Sequence, residues 1–145
     1  MEIKSIDHTG IIVKDLDKVV DFYTTVMGFS LVGEITPWAG SPEECVAMKV
    51  SDGTEYRCAV VQAPGERNIQ FMEFSNMEPP VALNVQGVHY LSFMVDDIAA
   101  WIQKLEENGC KAMSNPIAYD DYGTTIQWCY VTDPNGITFE LISAT

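Results

Sequence analysis

The chain has 145 residues, with 8 Lys plus Arg against 21 Asp plus Glu and a formal net charge of -13. A hydrophobic share of 47% is too high for a disordered chain, and the length suits one domain that buries roughly 70% of its unfolded surface without disulfide or metal staples. The acidic balance argues against nucleic acid and against anionic membranes, since eight scattered basic residues form no patch. The four cysteines, Cys45, Cys58, Cys110 and Cys129, contain no C-x-x-C pair and read as reduced thiols of a cytoplasmic protein. The N-terminus opens in strand-like alternation, which gives no signal-peptide pattern. No apolar run approaches the ~18 residues of a membrane span.

Residues 3–13 alternate as a strand. Asp15 then offers a helix N-cap, Leu16, Val19, Val20 and Tyr23 recur at helical spacing, and Gly28 stops the helix. Strand-like runs follow at 29–36, 45–51, 56–63 and 68–74, the first two as parts of an irregular path through Pro37 and Pro42. Residues 75–86, with Pro79-Pro80, form an exposed linker.

The order then recurs. Residues 87–95 read as a strand, Asp96-Asp97 as a cap, and Ile98, Trp101, Ile102 and Leu105 as the apolar face of a helix ending at Gly109. Strand-like runs cover 110–114, 124–131 and 136–143, with the hairpin turn Asp133-Pro134-Asn135-Gly136 between the last two. The cluster Tyr119-Asp120-Asp121-Tyr122-Gly123 reads as a mobile loop, with a pocket lid as the lesser alternative. The fold class is therefore α+β: two βαβββ modules, an internal repeat of 1–74 and 87–145, forming a half-open mixed β-sheet cleft suited to a small molecule.

Matching Leu16 to Ile98 superposes Val13 on Val95 and Val19-Val20 on Trp101-Ile102. His8 then falls on Tyr90. Matching His8 to His89 instead would put Asp97 on the helix's core face, so the first register is preferred. Ile69-Gln70-Phe71 corresponds to Phe139-Glu140-Leu141, which makes Gln70 and Glu140 equivalent. A carboxylate in an apolar strand is costly unless it is paired, hydrogen-bonded or bound to a cation. His8, Gln70, Tyr90 and Glu140 are expected to point into one cleft. Trp38, Met48, Tyr119, Tyr122 and Trp128 are expected to line it or to belong to ordinary core.

Several segments together resemble the vicinal oxygen chelate superfamily, which includes glyoxalase I, methylmalonyl-CoA epimerase, extradiol dioxygenases and the fosfomycin and bleomycin resistance proteins. They are Ile6-Asp7-His8, Asp21-Phe22-Tyr23 before Gly28-Phe29, Ile69-Gln70-Phe71-Met72, Gly87-Val88-His89-Tyr90 before Val95-Asp96-Asp97, and Asp133-Pro134-Asn135-Gly136 before Phe139-Glu140-Leu141. The resemblance implies a homodimer and a divalent metal, one of Zn, Ni, Co or Mn, held by His8, Gln70, Tyr90 and Glu140. Gln70 is similar to the epimerase pattern. Tyr90 departs from the superfamily, whose metal-binding members usually carry His there.

Three readings follow. The metal is held by His8, Gln70 and Glu140 plus water, with Tyr90 as a hydrogen-bonding or weak fourth ligand. A bulge turns His89 inward as the alternative fourth ligand. Or the cleft is metal-free. The implied activity is that of a lyase or isomerase acting on a small molecule with vicinal oxygens, with Glu140, Tyr90 and His8 as the acid/base candidates. A two-base epimerase is disfavoured because the second base position falls on Ala47, unless Glu43 or Glu44 reaches in, and a dioxygenase or fosfomycin-type transferase because of Tyr90. The alternative is a metal-free, bleomycin-resistance-like protein that sequesters a planar, cationic ligand on its aromatic residues.

Overall fold

A computed structural model describes residues 8–48, 50–65, 67–78, 90–121 and 123–145. His89 and Tyr122 lie outside the described residues, as do most of the expected linker and the first residues of the expected opening strand. Two compact units, Met1–Pro79 and Pro80–Thr145, each carry one mixed sheet.

The first unit runs β1 (His8–Ile12), α1 (Leu16–Asp21), β2 (Ser30–Val32), α2 (Pro42–Met48), β3 (Tyr56–Ala63) and β4 (Arg67–Phe74). Its sheet order is β1-β4-β3-β2, with β1 parallel to β4 and the other pairs antiparallel. Asp15 caps α1, its Oδ1 accepting from the Lys18 N–H at 3.1 Å. The helix widens into a π turn over Phe22–Val26, where Met27 N–H bonds Phe22 O at 3.2 Å. The Thr24 and Thr25 hydroxyls donate to the carbonyls of Val20 and Asp21 in the same stretch, at 2.7 and 2.6 Å. Such back-bonding competes with the regular helical ladder. Gly28, at φ 76, lets the chain turn away. Leu16, Val19 and Tyr23 are fully buried, like Val61 and Phe71 on the sheet, and the Tyr23 and Phe71 ring centroids are 4.8 Å apart.

The expected strand at 45–51 is corrected: Pro42–Met48 is helix α2. Ser41 and Glu44 form a reciprocal capping box, with Glu44 N–H to Ser41 Oγ at 3.2 Å and Ser41 N–H to Glu44 Oε2 at 2.8 Å. Pro42 occupies the first helical position, where its missing N–H costs nothing. Helix α2 is tied to the sheet by the Tyr56 hydroxyl, which donates to Glu44 Oε1 at 2.7 Å.

The second unit runs β5 (Leu91–Met94), α3 (Ile98–Glu107), β6 (Lys111–Ala112), β7 (Ile117–Asp121), β8 (Thr124–Thr132) and β9 (Thr138–Ala144). Its order is β5-β9-β8-β6, again with the first pair parallel, and β7 pairs with β8. Asp97 caps α3 through Ala100 N–H at 3.0 Å. The expected loop at 119–123 is corrected in part: Tyr119, Asp120 and Asp121 are paired strand, and the chain turns near Gly123 at φ 88. The turn after Asp133 follows expectation, with Gly136 at φ 85 and Gly136 N–H bonded to Asp133 O at 3.0 Å. Among the described residues no helix is long and apolar enough to cross a membrane.

The two sheets share a register. Gly10 pairs with Gln70, and Ser92 pairs with Glu140. Val13 N–H bonds Met72 O and Val95 N–H bonds Ile142 O, both at 2.8 Å. The step that carries Gly10 to Ser92 also carries Val13 to Val95, Asp15 to Asp97 and His8 to Tyr90. The step that carries Gln70 to Glu140 carries Met72 to Ile142.

Candidate functional site

On each sheet one face is buried, under α1 in the first unit and under α3 in the second. The opposite face of the first sheet meets α2 where the Tyr56 hydroxyl reaches Glu44. The opposite face of the second carries no helix of its own unit among the described residues. On the first sheet Ala59, Val61, Ile69 and Phe71 are the buried set. Strand alternation puts Cys58, Val60, Asn68, Gln70 and Met72 on the opposite face, together with His8, Gly10 and Ile12, which pair with Asn68, Gln70 and Met72. Gln70 is half-buried. Beside it Gly10 leaves open space, since a Cβ built there meets nothing within 4 Å.

On the second sheet Cys129, Val131, Phe139 and Leu141 are buried. Trp128, Tyr130, Glu140 and Ile142 lie on the face opposite α3, where Ser92 pairs with Glu140, Tyr130 with Glu140, and Trp128 with Ile142. The Ser92 hydroxyl donates to Glu140 Oε2 at 2.5 Å. Such a bond orients the carboxylate and offsets part of its desolvation. The Tyr90 and Tyr130 rings meet edge to face at 4.9 Å and 86°, and the Trp128 and Tyr130 rings at 5.6 Å and 76°. The Tyr130 phenol is pushed up to about 12, first by its hydrogen bond with Tyr90, then by burial, then by the charge of Tyr90 and of Glu140. Tyr130 therefore keeps its proton, while Tyr90 is 45% exposed.

Of the expected site residues, the second unit brings Tyr90, Glu140 and Trp128 onto one face, and Tyr119 onto the adjoining β7 opposite Ile126. The first unit places His8 and Gln70 on one face. Met48 ends α2 and is half-buried. Trp38 stands apart, on the helix side of its sheet, where its ring lies 5.3 Å from the Arg57 guanidinium. Arg57 donates to Glu73 Oε2 at 3.0 and 2.8 Å and to Asp17 Oδ2 at 2.7 Å. Glu73 Oε2 also accepts the Leu16 N–H at 2.9 Å, which locks the start of α1 to the sheet.

Ser92 and Tyr130 were not expected at the site. Ser92 shares Tyr90's parity along β5, and Tyr130 follows from counting back across the Asp133–Gly136 hairpin. Both signals needed the pairing partners first. All four cysteines are free thiols, and burial pushes Cys110 up to about 12, with the charge of Asp133 adding to the shift.

The sequence profile of the Glyoxalase/Bleomycin resistance protein/Dioxygenase superfamily matches residues 5–141. The chain belongs to this superfamily. It is 30% identical to the protein YwbC of Bacillus subtilis (strain 168) over 134 residues, 92% of each chain. It is 28% identical to a probable lactoylglutathione lyase of Synechocystis sp. over 93% of this chain and 92% of that one. The solved structure of a glyoxalase family protein from Bacillus cereus matches with a TM-score of 0.79 at 20% identity, covering 99% of this chain and 96% of that one. This likeness carries the fold, two mixed sheets with few helices.

Members of the superfamily often hold a divalent metal. Among the described residues no group of three His, Cys, Asp or Glu gathers. Such a group is not required by the donors at issue, since only His8 and Glu140 of the four are of those types. The Ser92 bond suits Glu140 as a metal-ligating carboxylate, because such ligands are oriented by an outer hydrogen bond. Tyr90 suits a ligand poorly, because its phenol is engaged with Tyr130. By donor type His8 and Glu140 are metal-ligating side chains and Gln70 offers a neutral amide oxygen. One imidazole, one carboxylate and one amide make a weaker donor set than one with two imidazoles.

Proposed function

We propose that the chain is a lyase or isomerase that moves a proton on a carbon beside a carbonyl, in a small molecule carrying two vicinal oxygens. The observation that carries this reading is the cluster on the second sheet: a half-buried carboxylate, Glu140, fixed by Ser92 and standing beside the hydrogen-bonded phenols Tyr90 and Tyr130. Glu140 takes the proton from carbon. Tyr90, the exposed member of the phenol pair, gives a proton to the oxygen on which negative charge develops. Tyr130 stays protonated and holds the Tyr90 oxygen in place, and Ser92 holds the carboxylate so that little reorganisation accompanies the transfer. As the superfamily resemblance implies, a divalent ion would be held by His8, Gln70 and Glu140 and would supply Lewis-acid stabilisation of the oxyanion. The Glu140 carboxylate must be released from it to act as base. A cytoplasmic location, read from the cysteines, and a homodimer, implied by the superfamily resemblance, belong to the same proposal.

The test is proton exchange. Incubated in D2O with 2-hydroxyacetophenone, which offers vicinal oxygens and exchangeable protons, the chain washes out the carbon-bound signal in proton NMR. Glu140→Gln lowers the exchange rate by roughly 10²–10⁴-fold. An unchanged rate in that variant removes Glu140 as the base. In parallel, metal analysis of protein purified without chelator shows about one equivalent of ion, lost in His8→Ala and kept in Tyr90→Phe.

A second reading is supported by the aromatic run Tyr90, Tyr130 and Trp128. A sequestering protein would bind a planar aromatic cation saturably and exchange no proton.

A further inference from the structure

Among the described side chains, the face of the second sheet opposite α3 carries aromatic and apolar residues around the carboxylate of Glu140. From Tyr90, edge-to-face contacts run through Tyr130 to Trp128. Trp128 pairs across the strands with Ile117 on one side and Ile142 on the other. Ile117 is 46% exposed, so this ledge is open at its β7 edge. An aryl ring laid there gains offset or edge-to-face contacts that a phosphate or carboxylate group cannot make.

The cations are elsewhere. Lys4 and Lys49 lie outside the described residues. Lys18 pairs with Asp15 at 2.6 Å, Arg57 is engaged by Glu73 and Asp17, and Lys104 sits on α3 with its ammonium 4.4 Å from the Trp101 ring centroid. Lys14 lies exposed in the turn before α1, and Arg67 has the parity of Ile69 and Phe71, on the helix side. Among the described residues Lys111, opposite Thr132, is the one cation with the parity of Tyr130, and it stands on the short edge strand β6. A ligand bearing several carboxylates or phosphates would meet Glu140, a net charge of -13 and one edge lysine.

We propose that this face binds an uncharged aryl group, so that the ligand is an aromatic ketone with an adjacent oxygen rather than an anionic thioester. The inference rests on the proton-transfer reading for the adjacent oxygens, but binding tests it separately from turnover. Quenching of tryptophan fluorescence is titrated with 2-hydroxyacetophenone and with S-lactoylglutathione. The expected result is saturable binding of the aryl ketone, insensitive to salt, with the thioester at least tenfold weaker. Trp128→Ala weakens the aryl ketone about fivefold, read by calorimetry because the variant loses the reporter. Should Trp128→Ala fail to fold, Ile117→Lys serves at the exposed edge: the added cation weakens the aryl ketone and strengthens the thioester. Thioester binding equal to or tighter than that of the aryl ketone in the parent chain overturns the inference. So does a Trp128→Ala or Ile117→Lys variant with unchanged preference. Binding of the aryl ketone without proton exchange supports the ligand class and removes the proposed chemistry. Exchange on the thioester alone does the reverse.

Discussion

Removing the Glu73 carboxylate tests how the first unit holds its helix to its sheet. One oxygen, Oε2, accepts from Leu16 N–H and from two nitrogens of Arg57. The side chains of Arg57 and Glu73 are only 18% and 15% exposed. Glu73→Ala leaves the guanidinium with Asp17 alone, in a part-buried place, and strips the first amide of α1 of its acceptor. Breaking a buried ion pair costs about 3–5 kcal/mol, and residual exposure puts this one at the lower end, about 3 kcal/mol. For a chain near this size that lowers Tm by about 6–12 °C. Glu73→Gln keeps an acceptor for Leu16 and loses the charge, so about half of that loss is expected.

The second unit is a natural comparison. The step from Gln70 to Glu140 carries Glu73 to Ser143, which is 2% exposed and pairs with Gln127 in place of arginine. The sheet therefore forms without the ion pair, and the double change Arg57→Gln with Glu73→Ser is expected to recover more than half of the single-variant loss. Thermal and urea unfolding followed by circular dichroism measure all three variants. A loss under about 1 kcal/mol in Glu73→Ala, or no recovery in the double variant, would refute the reasoning.

Two more predictions concern turns. Burial raises the pKa of Asp133, outweighing the backbone N–H groups of Ile137, Asn135 and Gly136, so the folded state disfavours its charge. A carboxyl raised on folding favours the fold below its unfolded pKa and costs stability as pH rises through the folded value. Asp133→Asn keeps an oxygen for the N–H groups of Asn135 and Ile137 and removes the charge. Its Tm at neutral pH is expected to rise, with the advantage gone in acid. At Gly40 an added Cβ would stand 2.5 Å from the Thr54 carbonyl oxygen. Gly40→Ala therefore displaces the chain next to the Ala39–Tyr56 bridge and costs roughly 2 kcal/mol. Hydrogen exchange reads this as faster exchange at Ala39 and Tyr56, and unchanged protection there contradicts it.

Local chemistry in the sequence determined most of the architecture. Asp15 and Asp97 cap helices whose apolar spacing is complete within one element, and glycines stop them, so α1 and α3 were legible. The hairpin at Asp133–Gly136 and the superfamily resemblance were legible for the same reason: each rests on neighbours in the chain. Helix α2 was misread although its Ser41–Glu44 capping box is local, because the apolar run after Cys45 also has strand character. Only the tertiary structure decided what stands beside Glu140. Ser92 and Tyr130 are 48 and 10 residues away in sequence and reach it through a parallel and an antiparallel pairing. Pairing is long-range, and a slip of one residue would turn each side chain to the other face. The same dependence sent Trp38 to Arg57 on the helix side, where an ion pair built from α1, β3 and β4 supplies the cation its ring covers.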